Sequence, residues 1–347
     1  MIRRGKDVWL AEDLRSDRSW VMPWTSTELS EIDAALHAVK DKRLDWELIQ
    51  AELFPLNAVA EKLALVANYL EYQRGLVKLT GLPVDKYSIE ELQIIWMGLG
   101  VHLGSPRYQD YQGQLMRKIC DEGGDPANKH EHIDSADSKF LSSKARTYSN
   151  GVLRFHTDRI DVVGLLTVSQ ALRGGGSKIV SIQAVHNEIL ERRPDLLKVL
   201  YQPLCRSRLG EEYDGTNRVY DLPVFAICDG KFTSHYSRPY VEAAQLLEDT
   251  PRLRDEQWEA LDLLAEVCEE LCFTMTLEPG DIQLLNNHVV YHARNAFEDG
   301  HDQEHKRLLL RLWLSMANSR KLPDDHNVLW GSTGAGELRG GIGQQVL

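Results

Sequence analysis

His156 and Asp158 stand two apart inside the apolar, β-branched run 151–166. On a strand, positions i and i+2 point to the same face, so an imidazole and a carboxylate would project side by side. That is two thirds of the 2-His-1-carboxylate arrangement that holds non-haem Fe(II) and leaves coordination positions open. So short a pair also arises by accident. With 12 His and 52 acidic residues in 347, roughly two His-x-acid pairs are expected by chance. Two rivals are present. His132-Ile133-Asp134, with His130 nearby, lies in a polar stretch with no strand to align it. His186-Asn187-Glu188 lies in a predicted helix, where positions two apart splay. The plain alternative for His156 and Asp158 is a hydrogen-bonded pair at a strand end.

A second constellation follows the turn Pro279-Gly280-Asp281 and a predicted strand over 282–285. It contains His288, His292 and Arg294, with Arg307 15 residues beyond His292 and Arg311 four further on. On a strand, Arg307 and Arg311 share a face with Leu309 and Trp313. Two inward arginines on an apolar strand are costly unless an anion meets them, and a guanidinium fork suits a carboxylate. A structural salt bridge is the plain alternative for either arginine. His288 reads as pointing elsewhere than His292, and His301 and His305 as solvated. Tyr236, Arg206, Arg208 and Arg238 could line a substrate pocket, with surface or interdomain pairing the plainer reading.

Positioning these groups requires a scaffold of short strands. Residues 1–75 read as a helical extension: Thr25-Ser26-Thr27-Glu28 offers a capping box ahead of apolar positions at helix spacing. Strands are predicted over 75–80, 162–169, 178–182 and 307–315, with a hairpin around Asp229-Gly230. Helices are expected from Ser88, over 185–190 and 194–200, and as an insertion over 240–272. Residues 105–149 are polar and aperiodic and read as a lid loop. The tail 321–347 is expected to be loose from 331, where glycines accumulate. No βαβ rhythm is present. The pattern predicts an α+β protein whose domain over 76–320 is an antiparallel barrel or jelly roll with helices outside.

Composition narrows the function. Net charge is −12 with Lys and Arg scattered, which argues against nucleic-acid or membrane-surface partners. No apolar run reaches spanning length. Five cysteines without CxxC spacing read as free thiols in a reducing, cytoplasmic compartment.

The order HxD, a Gly-rich turn before Ser177, a PGD turn with an Asn-rich strand, His-Ala-Arg and Arg-x-x-x-Arg resembles one enzyme family. It is similar to the Fe(II)/2-oxoglutarate-dependent dioxygenases of the taurine dioxygenase and clavaminate synthase type, over residues 75–320. The resemblance implies a double-stranded β-helix core with His156, Asp158 and His292 as iron ligands. It implies that Arg307, helped by Ser177, binds the distal carboxylate of 2-oxoglutarate. Arg311 would lie near the co-substrate or grip an acidic substrate group, while the role of Arg294 stays open against a structural salt bridge. The implied reaction consumes O2 and 2-oxoglutarate and releases succinate and CO2. Family members that halogenate replace the carboxylate at the Asp158 position with a small residue. Its presence therefore implies hydroxylation as the base case, with desaturation or ring closure as other outcomes. The competing readings are a zinc hydrolase using the same three ligands and a non-catalytic barrel that binds a metal or small acid.

Overall fold

The computed structural model describes residues 1–123, 146–208, 217–302 and 305–343. It is a mixed α+β structure with two larger sheets. The seven-stranded sheet runs Val21–Pro23, Leu76–Thr80, Ile282–Asn286, Val162–Ser169, Leu308–Ser315 and Ser105–Pro106, with Met116–Ile119 also pairing to Leu308–Ser315. The four-stranded sheet runs Phe273–Met275, Ser177–Ser181, Val290–Arg294 and Leu153–His156. Apart from the parallel Val21–Pro23 edge, the pairings within these two sheets are antiparallel.

The period-2 alternation of the strands assigns the layers. On Leu308–Ser315, Leu310, Leu312 and Leu314 point outward into a core shared with the helices Ser26–Asp41, Ala58–Tyr72 and Ile89–Leu103. Each such leucine contributes about 1.5–3 kcal/mol relative to exposure. On the small sheet, Val180 and Tyr291 point outward beneath the helices Ile182–Arg192 and Asp255–Leu271. The inner faces meet: Val163, Leu285 and Trp313 of the large sheet share one cluster with Ile179 and Val290 of the small one. His292, two residues from Val290, and His156, next to the outward Phe155, are thereby turned inward.

The expected elements recur with local differences. Thr25 caps its helix through Glu28 as predicted, and Ser88 does the same through Glu91. The Pro279-Gly280-Asp281 turn requires its glycine: φ is +87°, and a Cβ would stand 2.0 Å from the Leu82 carbonyl oxygen. Run 151–166 is not one strand. Leu153–His156 and Val162–Ser169 belong to different sheets, and residues 157–161 turn between them. Residues 105–123 are also not all loop, since two short strands there pair with Leu308–Ser315. The rest of the expected lid, 124–145, lies outside the described residues, as do His130, His132 and Asp134. The glycine-rich end is not loose as far as residue 343. Arg339 and Ile342 are buried, and Ile342 packs with Ile160, Val163 and Trp313. Glycine content misled there because the glycines serve close packing instead of freedom. Among the described residues, no helix is long and apolar enough to cross a membrane.

Candidate active site

His156 and His292 come together by strand register. They are directly opposed on neighbouring antiparallel strands, with ring centroids 4.2 Å apart. Asp158 lies just past the strand end, where its backbone N–H donates to Asn287 Oδ1 at 2.9 Å. Asp158 Oδ1 is 3.7 Å from His156 Nε2 and Oδ2 is 3.9 Å from His292 Nε2. One donor atom from each of the three residues lies within 4.8 Å of the others. These separations exceed hydrogen-bond length, so three buried donors face a common gap without satisfying one another.

The electrostatics suit a cation in that gap. His156 Nδ1 lies 2.9 Å from the Arg154 carbonyl oxygen. A carbonyl only accepts, so Nδ1 carries the proton and the Nε2 lone pair faces the gap. Burial pushes the His292 imidazole down to about 3, with a contribution from His156. Burial also lowers His156. Both rings are therefore neutral at physiological pH. Burial works to raise the Asp158 carboxyl, yet Arg311, His292 and His156 together hold it below its ordinary value. Trp313 Nε1 donates to Asp158 Oδ2 at 3.0 Å and fixes the carboxylate plane. Two neutral imidazoles and one carboxylate fit a divalent non-haem iron.

Two cavities flank the gap. The inner one, of about 510 Å³, is lined by the three donors with Ser177, Arg294, Arg307 and Arg311 among others. Arg307 is buried, and among the described residues its Nη1 has no hydrogen-bond partner, nor do Nε and Nη1 of Arg294. Burial and the neighbouring Arg294 charge push the Arg307 guanidinium down to about 9, and burial pushes Arg294 down to about 10. Both guanidinia lie over the Phe297 ring, at 4.7 and 5.3 Å. Asp299 offsets part of the charge on both, and two adjacent buried cations facing a cavity still favour an anion there. Ser177 lines the same cavity, but its hydroxyl donates to Gln283 Oε1 at 3.0 Å. Arg294 binds backbone carbonyls of Arg146, Ser149 and Gly151 instead of a carboxylate.

A family model for taurine catabolism dioxygenases (TauD, TfdA family) matches residues 41–313. The chain belongs to this TauD, TfdA family. FR-33289 synthase of Streptomyces rubellomurinus is 28% identical over 330 residues, covering 92% of each chain. The taurine hydroxylase-like protein SAT17 of Stachybotrys chartarum is 28% identical over 309 residues, covering 88% of this chain and 77% of SAT17. Among solved structures, an asparagine oxygenase in complex with Fe(II), 3-hydroxyasparagine and succinate aligns with TM-score 0.61 at 15% identity, covering 88% of this chain and 98% of that one. The non-haem iron oxygenase OrfP, in complex with Fe and alpha-ketoglutaric acid, aligns with TM-score 0.59 at 15% identity, covering 85% and 93%. At such identity these two share the fold.

The rival residues are engaged elsewhere. His288 donates from Nε2 to Asp161 and accepts at Nδ1 from Thr233. His186 packs among Tyr201, Phe225 and Phe232. Arg206 is fully buried and donates to the carbonyls of Leu222, Pro223 and His235. Arg238 pairs with Glu242 and Asp262, and Tyr236 sits in the outer core. Arg208 does line a cavity, the outer one of about 710 Å³, with Arg117, Arg159, Arg311, Tyr220 and His235 among others. Sequence reasoning missed Gln109, which accepts from Arg311 Nε at 2.7 Å, and Arg117, which pairs with Asp110 and bonds the Tyr148 hydroxyl. Both sit in the aperiodic stretch, where no motif marks them.

Proposed function

We propose that this chain is an Fe(II)- and 2-oxoglutarate-dependent oxygenase that hydroxylates a small acidic substrate. The observation that carries the reading is convergence: two neutral imidazoles and a carboxylate meet at one gap, beside a cavity holding buried guanidinium nitrogens that have no partner among the described residues. His156, Asp158 and His292 would hold the metal. Bound there, Fe(II) supplies the oxygen chemistry that couples decarboxylation of 2-oxoglutarate, giving succinate and CO2, to oxidation of a substrate C–H bond. Arg307 is assigned to the distal carboxylate of 2-oxoglutarate, with Ser177 on the cavity wall beside it. Ile119, Val163, Leu165 and Leu277 line the same cavity and exclude water from it. A zinc hydrolase would leave the inner arginines without a use.

The two facing sheets are read as the halves of a double-stranded β-helix over 76–320, with helices outside. The outer cavity is assigned to the substrate. Among the described residues, Arg159 and Arg311 line it with Asp158 as the facing carboxylate, and Arg117 is neutralised by Asp110. An excess of cations in a chain of net charge −12 fits an acidic substrate. The relatives support an oxygenase: one structure holds Fe and alpha-ketoglutaric acid, and another holds Fe(II), a hydroxylated amino acid and succinate. A cytoplasmic setting matches this reaction's dependence on 2-oxoglutarate.

The test is anaerobic addition of Fe(II) and 2-oxoglutarate, followed by oxygen and a panel of small carboxylates and sulfonates. A 2-oxoglutarate-dependent visible absorption band and release of succinate are expected, both lost in His156→Ala. Neither signal from the intact chain would end the reading.

A further inference from the structure

The C-terminal residues 339–343 lie beyond the stretch matched by the family model, 41–313, yet they run across the turn that carries Asp158. Gly341 N–H donates to the Arg159 carbonyl at 2.8 Å, and Ile342 N–H donates to the Tyr108 carbonyl at 2.8 Å. Arg339 is fully buried, and its Nε donates to Asp161 Oδ1 at 2.8 Å. Asp161 closes the same turn: its backbone oxygen accepts from Asn287 N–H, and its Oδ2 accepts from Met316 N–H at 2.9 Å. Ile342 bridges to Gln109, the residue that orients Arg311, and lines the outer cavity. Gly340 fits because it lacks a side chain. At φ +72°, a Cβ would stand 2.8 Å from the Arg159 carbonyl oxygen and 3.1–3.2 Å from Ile160.

We propose that residues 339–343 form a strap that positions the Asp158-bearing turn for metal binding, with Arg339 as its positioning residue. The inference rests on the reading of His156, Asp158 and His292 as metal ligands. Asp158 follows a strand end and has no ladder of its own. Its place depends on what grips residues 157–161: Tyr236 at Thr157, Asn287 and Trp313 at Asp158, and the strap at Arg159 and Asp161. Loosening the strap lets the carboxylate drift from the two imidazoles, which stay fixed by strand pairing.

The test measures Fe(II) affinity of the full chain by anaerobic calorimetry, without turnover. Gly340→Ala pushes a methyl at the Arg159 carbonyl and should weaken Fe(II) about tenfold or more, the usual size for groups that orient metal ligands. Gly331→Ala is the matched control. It pays the same strain at φ +76° but has nothing within 4 Å of the added Cβ. It should lose some thermal stability, from backbone strain alone, while keeping wild-type affinity. Arg339→Met should weaken Fe(II) as Gly340→Ala does, and Arg339→Lys should recover part of the loss. If Gly340→Ala and Arg339→Met bind Fe(II) as tightly as Gly331→Ala, the strap is structural only and the proposal is overturned. If the intact chain and His156→Ala bind Fe(II) equally, the metal-site reading itself has failed, a separate result.

Discussion

Two clusters of buried charge sit within a few residues of each other and differ in one respect. Around Asp161 the carboxylate and the imidazole are both engaged: His288 and Arg339 donate to Oδ1, Met316 N–H donates to Oδ2, and Thr233 completes His288. It is peripheral donors, Arg339 Nη2 and the Trp330 indole N–H, that lack a partner among the described residues. Trp330 stacks on the His288 ring at 4.9 Å. Around Asp158 the groups face one another across a gap of 3.7–3.9 Å, His292 Nδ1 has no partner among the described residues, and Arg307 Nη1 is likewise unpaired. Composition cannot tell the two apart, since each has an aspartate, histidine and arginine. Satisfaction can. A closed network spends its polar groups on the fold, whereas an open one is complete only with something bound.

The strongest way to break this contrast is to exchange the damage. Asp158→Ala should cost at least about a thousandfold in succinate formation, because the proposed carboxylate ligand of the metal is gone. Its urea midpoint should fall only a little, since the carboxylate gives up one hydrogen bond, from Trp313, and longer contacts to Arg311 and the imidazoles. Asp161→Ala should lose far more stability, about 3–5 kcal/mol, by stranding the buried Arg339. Equal stability loss in the two variants would erase the distinction between the clusters.

A smaller effect sharpens it. Arg307→Met removes a cation whose burial is already unfavourable, as its lowered value near 9 indicates. Folding stability should hold or improve, while the 2-oxoglutarate KM rises roughly 10- to 150-fold, the worth of one charge-assisted contact. A KM that stays put would remove Arg307 from the co-substrate.

How much of this could be read from the sequence divides along the same line. His156, Asp158 and His292 were legible because strand-forming residues around them make spacing meaningful, and Arg307 with Arg311 because charge on an apolar strand is anomalous. The mechanism for Asp158 was nevertheless different: a turn held by Asn287 and Gly341 places it, where strand alternation was expected. Gln109, Arg117 and Arg339 were invisible because their partners lie 202, 7 and 178 positions away, in stretches without periodicity. The layered sheets followed from alternation, but the buried tail did not. Glycine marks both a loose chain and a chain pressed against a neighbour, and only the neighbour distinguishes them.

The closed cluster also predicts the gentlest effect, a pH dependence. Burial holds the His288 imidazole down to about 4 despite hydrogen bonding to Asp161, whereas in the unfolded chain it titrates near its ordinary ~6.5. Between these values the unfolded state binds the extra proton, so stability is full above about 6.5 and falls as pH drops toward 4. One such histidine contributes a slope of up to about 1.4 kcal/mol per pH unit. His288→Gln keeps a donor for Asp161 and an acceptor for Thr233 but cannot titrate. Urea unfolding of the metal-free protein at pH 7, 6, 5 and 4.5 should therefore show a shallower decline in the variant, by up to that one-proton slope. Parallel curves would mean that His288 is protonated in the folded state, and that the cluster around Asp161 is less closed than its hydrogen bonds indicate.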